Sequence, residues 1–356
     1  MRWCCLMSSP PAPALLPSLQ LPYAFGEPAA SGTFRNSPED FFVEEILGFR
    51  PDGEGEHLLL HIEKRNTNTD WLAGELARFT GVPRREVSYA GLKDRNAVTR
   101  QWFSLRFPIG REPDWDCFRL EGVTLLEWGR HRRKLRRGAL KGNRFRIRIR
   151  GFQGDRGEVE QRISLVAQQG VPNYFGEQRF GHQDGNLQMV DRLFAGELER
   201  VGRSKRGIYL SAARSYLFNR VLADRIERGD WNQALPGDRM ILDGSRATFA
   251  ITEVDPEIRN RIETLDIHPT GPLYGRGDSG VALAAAEREM QVLNAFPAWK
   301  EGLERFGLEA ERRALRMRVA DLQWCWPERD CLEISFKLGR GSYATVVLRE
   351  LVCASR

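Results

Sequence analysis

Asn143–Phe152 reads NRFRIRIRGF, and its alternation decides the architecture. Arg144, Arg146, Arg148 and Arg150 fall on one side of an extended chain and Phe145, Ile147 and Ile149 on the other. The segment is therefore a β-strand with one cationic and one apolar side. Upstream, GEHLLLHIEKR, REVSYAG and QWFSLRF are further strand candidates, the last with Phe103, Leu105 and Phe107 on one side. A helix is predicted from about Thr69, with Leu72, Leu76 and Phe79 on one face and Gly81 as its stop. GEVEQRISLVAQQG places Val159, Ile163 and Val166 at helical spacing.

Downstream the texture changes. Pro172–Asn186 is aromatic, glycine-rich and turn-prone, and most of the chain to about Arg312 reads as helices, the clearest being SAARSYLFNRVLADRIERG with Ser211 as its cap. Strand patterning returns with Leu315, Met317 and Val319 and again with Leu332, Ile334 and Phe336, and a closing helix is expected from Ser342. Strands thus bracket a helical block. The expectation is an α+β protein: a mixed, largely antiparallel sheet domain built from both ends of the chain, with a mainly helical second domain inserted. The boundaries are 1–24 for a disordered leader, 25–168 and 312–356 for the sheet domain, and 169–311 for the insertion.

The formal charge of +6 hides an asymmetry. Residues 130–150 hold eleven Lys or Arg and no acid, leaving 6 − 11 = −5 for the rest. Arg132, Arg133, Lys134, Arg136, Arg137, Lys141, Arg144, Arg146 and Arg148 are the candidate polyanion-binding residues. With no basic amphipathic helix or lipidation signal, nucleic acid fits better than a membrane surface. No apolar run approaches the ~18 residues of a membrane span.

The six cysteines lack the paired spacing of a zinc site. His57 and His61 sit on a strand-like stretch, so no metal is expected. Gly275, Gly277 and Gly280 satisfy G-x-G-x-x-G, but Pro269 and Pro272 in HPTGPLY argue against the central strand that a dinucleotide site needs. No cofactor is expected. The reading is a reduced, cytoplasmic protein, with a monomer as the working expectation.

Asp94, in YAGLKDRNAVTRQW, is the only acid between Glu86 and Glu112, among Lys93, Arg95, Arg100, Arg106 and Arg111. Such a carboxylate can be a nucleophile working on an anionic polymer, with its pKa held down by neighbouring cations. It can equally be a turn residue in a surface ion pair. By themselves Phe41 and Phe145 read as core, and Asn143 as a turn residue after Gly142.

GLKDRNAVTRQW, KGNRFRI (Lys141–Ile147), VPNYFGEQRFG (Val171–Gly181) and GSYATVVLREL (Gly341–Leu351) resemble, in order, the tRNA pseudouridine synthase D family. SPEDFFVEE, LSAARSYLFN and TGPLYGRG extend the likeness from about Phe34 to the end. The resemblance implies a pseudouridine synthase catalytic domain with the family's insertion, acting without cofactor on uridine in tRNA, at position 13 of tRNA-Glu in bacterial members. It implies Asp94 as the catalytic carboxylate, Phe145 as stacking aromatic, Asn143 as a polar contact to the base and Phe41 as a pocket aromatic. Arg35 stands where the family has a lysine beside the aspartate. An RNA-binding factor without chemistry and a cofactor-dependent RNA methyltransferase are the competing readings; a deep nucleotide pocket at Gly275–Gly280 would mark the latter.

Overall fold

The cationic strand lies inside a sheet, not at its margin. The computed structural model describes residues 20–198 and 200–354, and the chain divides into two compact units: 27–168 with 318 onward, and 169–317 with the segment before Glu27.

The first part of the sheet unit supplies β1 (Ser31–Thr33), β2 (Phe41–Ile46), β3 (His57–Arg65), β4 (Val87–Tyr89), β5 (Val98–Arg106), β6 (Val123–His131) and β7 (Gly142–Gln153), with helices α1 (Thr69–Thr80) and α2 (Arg156–Gln169). The inserted unit supplies β8 (Val171–Pro172), α3 (Gly185–Phe194), α4 (Arg203–Glu227), β9 (Arg239–Leu242), β10 (Thr248–Ala250), α5 (Pro256–Glu263), β11 (Ile267–Leu273), α6 (Leu283–Leu293), α7 (Pro297–Arg305), β12 (Glu311–Ala314) and β13 (Arg316–Met317). The chain returns as β14 (Ala320–Glu328), β15 (Cys331–Gly339), α8 (Ala344–Leu351) and β16 (Cys353–Ala354).

The large sheet runs β14-β15-β7-β2-β5-β3-β6. Its neighbours along this path are antiparallel except the parallel β2–β5 pair. α1 forms where the 3.6-residue apolar spacing predicts. Asn68 caps it by accepting from the Asp70 and Trp71 amides, and Gly81 ends it at φ 71°, a left-handed turn that glycine enters without a Cβ penalty. Leu72 and Leu76 bury against Leu58, Leu60 and Ile62 of β3 and Phe103 and Leu105 of β5.

Several expectations need correction. The sheet unit resumes at Arg318 and not at 312, because β12 pairs with β11 and β13 with β8 inside the inserted unit. Residues 1–19 of the expected leader lie outside the described residues. Within 20–26, Pro22 accepts a hydrogen bond from the Tyr174 hydroxyl at 3.4 Å and Phe25 meets Trp231 edge-on. The helix expected at Ser211 begins at Arg203, and the Ser211 hydroxyl instead accepts from Arg179.

The insertion also carries a four-stranded sheet, β10-β9-β11-β12, in which the proline-bearing β11 is internal. Its residues 267–269 pair with β9 and 270–273 with β12, so no residue is laddered on both sides. Each proline's missing donor is tolerated for that reason. A strand thus does precede the glycine motif. A Cβ on Gly275 would lie 2.4 Å from the Leu308 carbonyl, so this glycine serves close backbone approach.

Among the described residues, no helix is long and apolar enough to cross a membrane. Cys117, Cys325, Cys331 and Cys353 are free thiols.

Candidate active site

Asp94 sits in the connection between β4 and β5, and the loop around it is clamped. The Ala90 carbonyl accepts from the Gly138 amide at 2.6 Å and the Gly91 carbonyl from the Gln101 side-chain amide at 3.2 Å. The Lys93 amide donates to Thr69 Oγ1 at 3.2 Å, while its ammonium meets buried Glu45 at 2.5 Å. Lys64 donates from β3 to the Asp94 carbonyl at 3.1 Å, and the Asn66 amide to the Ala97 carbonyl at 3.3 Å. Contacts from β2, β3, β5, α1 and the β6–β7 connection converge on eight residues. A loop so held keeps the Asp94 side chain in one place at little further entropic cost.

Sheet register shows which side of the structure the loop covers. Phe336, Phe145, Val43, Thr99 and Lys64 form one row across β15, β7, β2, β5 and β3. Leu338, Asn143 and Glu45 are aligned in the next row on the same face. Directly opposed residues share a face. Lys64, Gln101 and Glu45 reach the Asp94 loop from that face, so Phe41, Asn143 and Phe145 lie on the side that the loop covers.

The Asp94 carboxylate meets Arg35 Nη2 at 3.4 Å, a long ion pair with both side chains partly exposed. Arg35 adopts φ 78°, unusual for a residue with a Cβ. Its guanidinium lies over the Phe41 ring at 4.2 Å, a cation–π contact that fixes the plane of the donor. Phe41 meets Phe145 edge-on at 6.3 Å, and Phe145 stacks on Phe336 at 5.4 Å. Phe41 is 1% and Phe145 6% exposed, so they form an apolar wall and not an open platform. Among the described residues, Arg35 Nε and Asn143 Oδ1 are buried without a hydrogen-bond partner. Unused buried polar atoms are costly and call for an explanation.

Burial pushes the Glu45 carboxyl upward against the opposing pull of Lys93. It pushes the Lys64 ammonium down to about 8, against the opposing charge of Asp94. Lys64, Glu45 and Gln101 were not singled out by sequence reading. Each sits at an inward position of a strand, where a polar residue breaks the apolar pattern, and that break was the available signal.

The strand arginines are on the other face. Lys337, Arg144, Glu44, Arg100 and Glu63 align in a row there, and Arg144 pairs with Glu44 at 2.8 Å. Arg100 pairs with Glu63 at 2.7 Å and Arg148 with Glu333 at 2.6 Å. Arg150 meets Asp40 at 2.8 Å, and Arg146 lies over Phe42 at 5.1 Å. The cationic side that the sequence presented is therefore a charge-paired one.

The basic loop 132–141 is different. Leu135 buries with Leu59, Trp102, Leu47 and Ala90, which anchors the loop beside the start of the Asp94 segment. Arg133 and Arg136 are exposed, Arg137 lies over Tyr89 at 5.3 Å and Lys134 donates to the Arg85 carbonyl. Arg132 pairs with Glu54, and the Lys141 side chain lies against Gly48. His61, stacked on Trp102 at 4.7 Å, and His57 share a strand. Among the described residues no group of three or more His, Cys, Asp or Glu gathers for a metal.

A two-part sheet interrupted by an inserted unit is the architecture of the pseudouridine synthase D fold. A crystal structure from Methanosarcina mazei, assigned as a tRNA pseudouridine synthase D, superposes with a TM-score of 0.72 at 22% identity over 93% of this chain and 95% of that one. The chain belongs to the tRNA pseudouridine synthase D (TruD) family, whose model matches residues 20–201 and 187–351. The tRNA pseudouridine synthase D of Methylococcus capsulatus is 52% identical over 93% of this chain and 94% of its own length. That of Nitrosococcus oceani is 49% identical, covering 93% of each. The expected α+β fold with a largely antiparallel sheet holds.

Proposed function

We propose that this protein isomerises uridine to pseudouridine in tRNA, at position 13 of tRNA-Glu, as a monomeric cytoplasmic enzyme with Asp94 as its catalytic carboxylate. The observation that carries this reading is the Asp94–Arg35 pair set against Phe41, on a loop clamped from the neighbouring strands and α1. Membership of the family supports the reaction class.

The reaction breaks the bond from ribose C1′ to uracil N1 and forms one from C1′ to C5; N1 gains a proton and C5 loses one. It is redox-neutral and balances without an external group, so no cofactor is part of this proposal. Asp94 attacks C1′, adds to the uracil ring or assists loss of a ribose proton. In each case a carboxylate must stand beside the glycosidic bond while the free base is retained. The uridine is flipped from the folded tRNA to reach it. Arg35 orients the carboxylate. Its Nε–H and Asn143 Oδ1 are the donor and acceptor offered to the nucleotide, beside the Phe41 and Phe145 rings. Among the cations, loop residues Arg132, Arg133, Lys134, Arg136, Arg137 and Lys141 are the primary contacts to the tRNA backbone. Arg144, Arg146 and Arg148 add long-range attraction.

The test is incubation of purified protein with unmodified tRNA, without added cofactor or metal, followed by carbodiimide labelling and primer extension. Pseudouridine at position 13 of tRNA-Glu is the expected product. Binding without conversion would leave an RNA-binding factor in its place.

A further inference from the structure

β3 carries a lysine on the covered side of the sheet. Lys64 shares its row with Thr99, Val43, Phe145 and Phe336 and has no exposed surface. Its Nζ donates to the Thr67 carbonyl at 2.7 Å and the Asp94 carbonyl at 3.1 Å. Among the described residues no carboxylate lies within ion-pair distance of it. A buried ammonium satisfied only by carbonyls is costly to keep, and a structural role in this row could be filled by methionine or leucine.

The groups that face it define what its charge can act on. The loop presents Asp94, which favours the charged form, and Lys93, which opposes it and is itself tied to Glu45. β5 presents Thr99 and β6 presents Val123 opposite it, and Thr67 approaches from the turn before α1. Asp94 is thus the carboxylate whose charge Lys64 senses. The two are linked through the carbonyl of the very residue whose side chain does the chemistry.

We propose that Lys64 is a positioning residue: its ammonium grips the Asp94 carbonyl and sets the direction of the Asp94 side chain. This rests on Asp94 being the catalytic carboxylate. Deprotonation leaves an amine that is a weaker donor and removes the positive charge behind the carboxylate. The ammonium titrates at about 8 in the folded protein. In the unfolded chain it titrates near 10.4. Between those values the unfolded state binds more protons, so this group's contribution to stability rises with pH. The catalytic rate falls through the same window. Opposite movement of rate and stability is a signature that a purely structural lysine does not give.

The experiment follows single-turnover conversion of unmodified tRNA from about pH 6.5 to 9.5 for the unaltered protein, Lys64→Met and Lys64→Arg, with thermal melts alongside. The unaltered enzyme is expected to lose about tenfold in maximal rate per pH unit above about 8. Lys64→Met is expected to run roughly 10–100-fold slower at pH 7, with half-saturating tRNA within about twofold, an unchanged or higher melting temperature and no alkaline limb. Lys64→Arg, whose cation does not titrate here, is expected to keep more rate than Lys64→Met and to lose the limb. Wild-type rate in Lys64→Met overturns the inference. So does an alkaline limb that persists in Lys64→Arg, which would then belong to the uridine. Should Lys64→Met not fold, the unaltered and Lys64→Arg profiles decide. An active unaltered enzyme with a pH-independent rate up to about 9 overturns this inference alone, whereas an inactive one overturns the proposed function and this inference with it.

Discussion

The two faces of the large sheet carry unequal numbers of charged groups and use them in opposite ways. On the arginine-bearing face Arg144, Arg148 and Arg100 each meet a carboxylate from a neighbouring strand. On the face covered by the Asp94 loop, charges are few, buried and imperfectly matched. Among the described residues Lys64 has carbonyls and no acid, Arg35 reaches Asp94 only at 3.4 Å, and the Asn143 oxygen has no protein partner. Electrostatic interactions strengthen as water is excluded, so the sparse set can do more chemistry than the dense one. Density of charge marks a surface; incomplete satisfaction marks a site.

The sharpest way to break this contrast is Asp94→Asn, which keeps shape and removes the charge. We expect at least about a 1,000-fold loss of conversion rate with tRNA affinity retained within about threefold. Full conversion by this variant would move catalysis elsewhere. Next, Arg35→Ala should slow conversion by about 10–100-fold, as expected for loss of a charged hydrogen bond to the proposed catalytic carboxylate. Arg35→Lys should recover part of it, because charge returns without the planar contact to Phe41; equal loss in both would show that ring stacking and not charge is what matters.

Smaller effects separate the loop cations from the strand cations. Arg136→Gln with Arg137→Gln should weaken tRNA binding and lower the slope of log affinity against log salt by about 1–2. Arg146→Gln with Arg148→Gln should change affinity by less than about threefold, because Arg148 is already paired and both lie on the face away from Asp94. The reverse ranking, measured by filter binding over a salt series, would mean that tRNA docks on the strand arginines.

Much of the architecture was legible before any coordinates. β7 follows from strict alternation, α1 from apolar spacing between Asn68 and Gly81, and the bracketed insertion from the change in texture after Gly170. What escaped was non-local. HPTGPL reads as a strand breaker, and only its offset pairing with β9 and β12 lets two prolines sit inside a sheet. Lys64 and Glu45 interrupt the apolar alternation of β3 and β2, but only register shows that both lie beneath the Asp94 loop.

The sequence by itself determined the repeating units, the place of the acid among cations and, through ordered motifs, the family to which the chain belongs. These depend on neighbours along the chain, which a sequence displays. Only the tertiary structure decided that the NRFRIRIR arginines face away from Asp94 and that three of them, Arg144, Arg148 and Arg150, are matched by Glu44, Glu333 and Asp40. Likewise it alone brought Arg35, Lys64 and Asp94 together from three separate segments. The reason is physical: a residue's local pattern fixes which side of its own strand it takes, but its charge balance and burial are set by partners far along the chain, 185 residues away for Arg148 and Glu333.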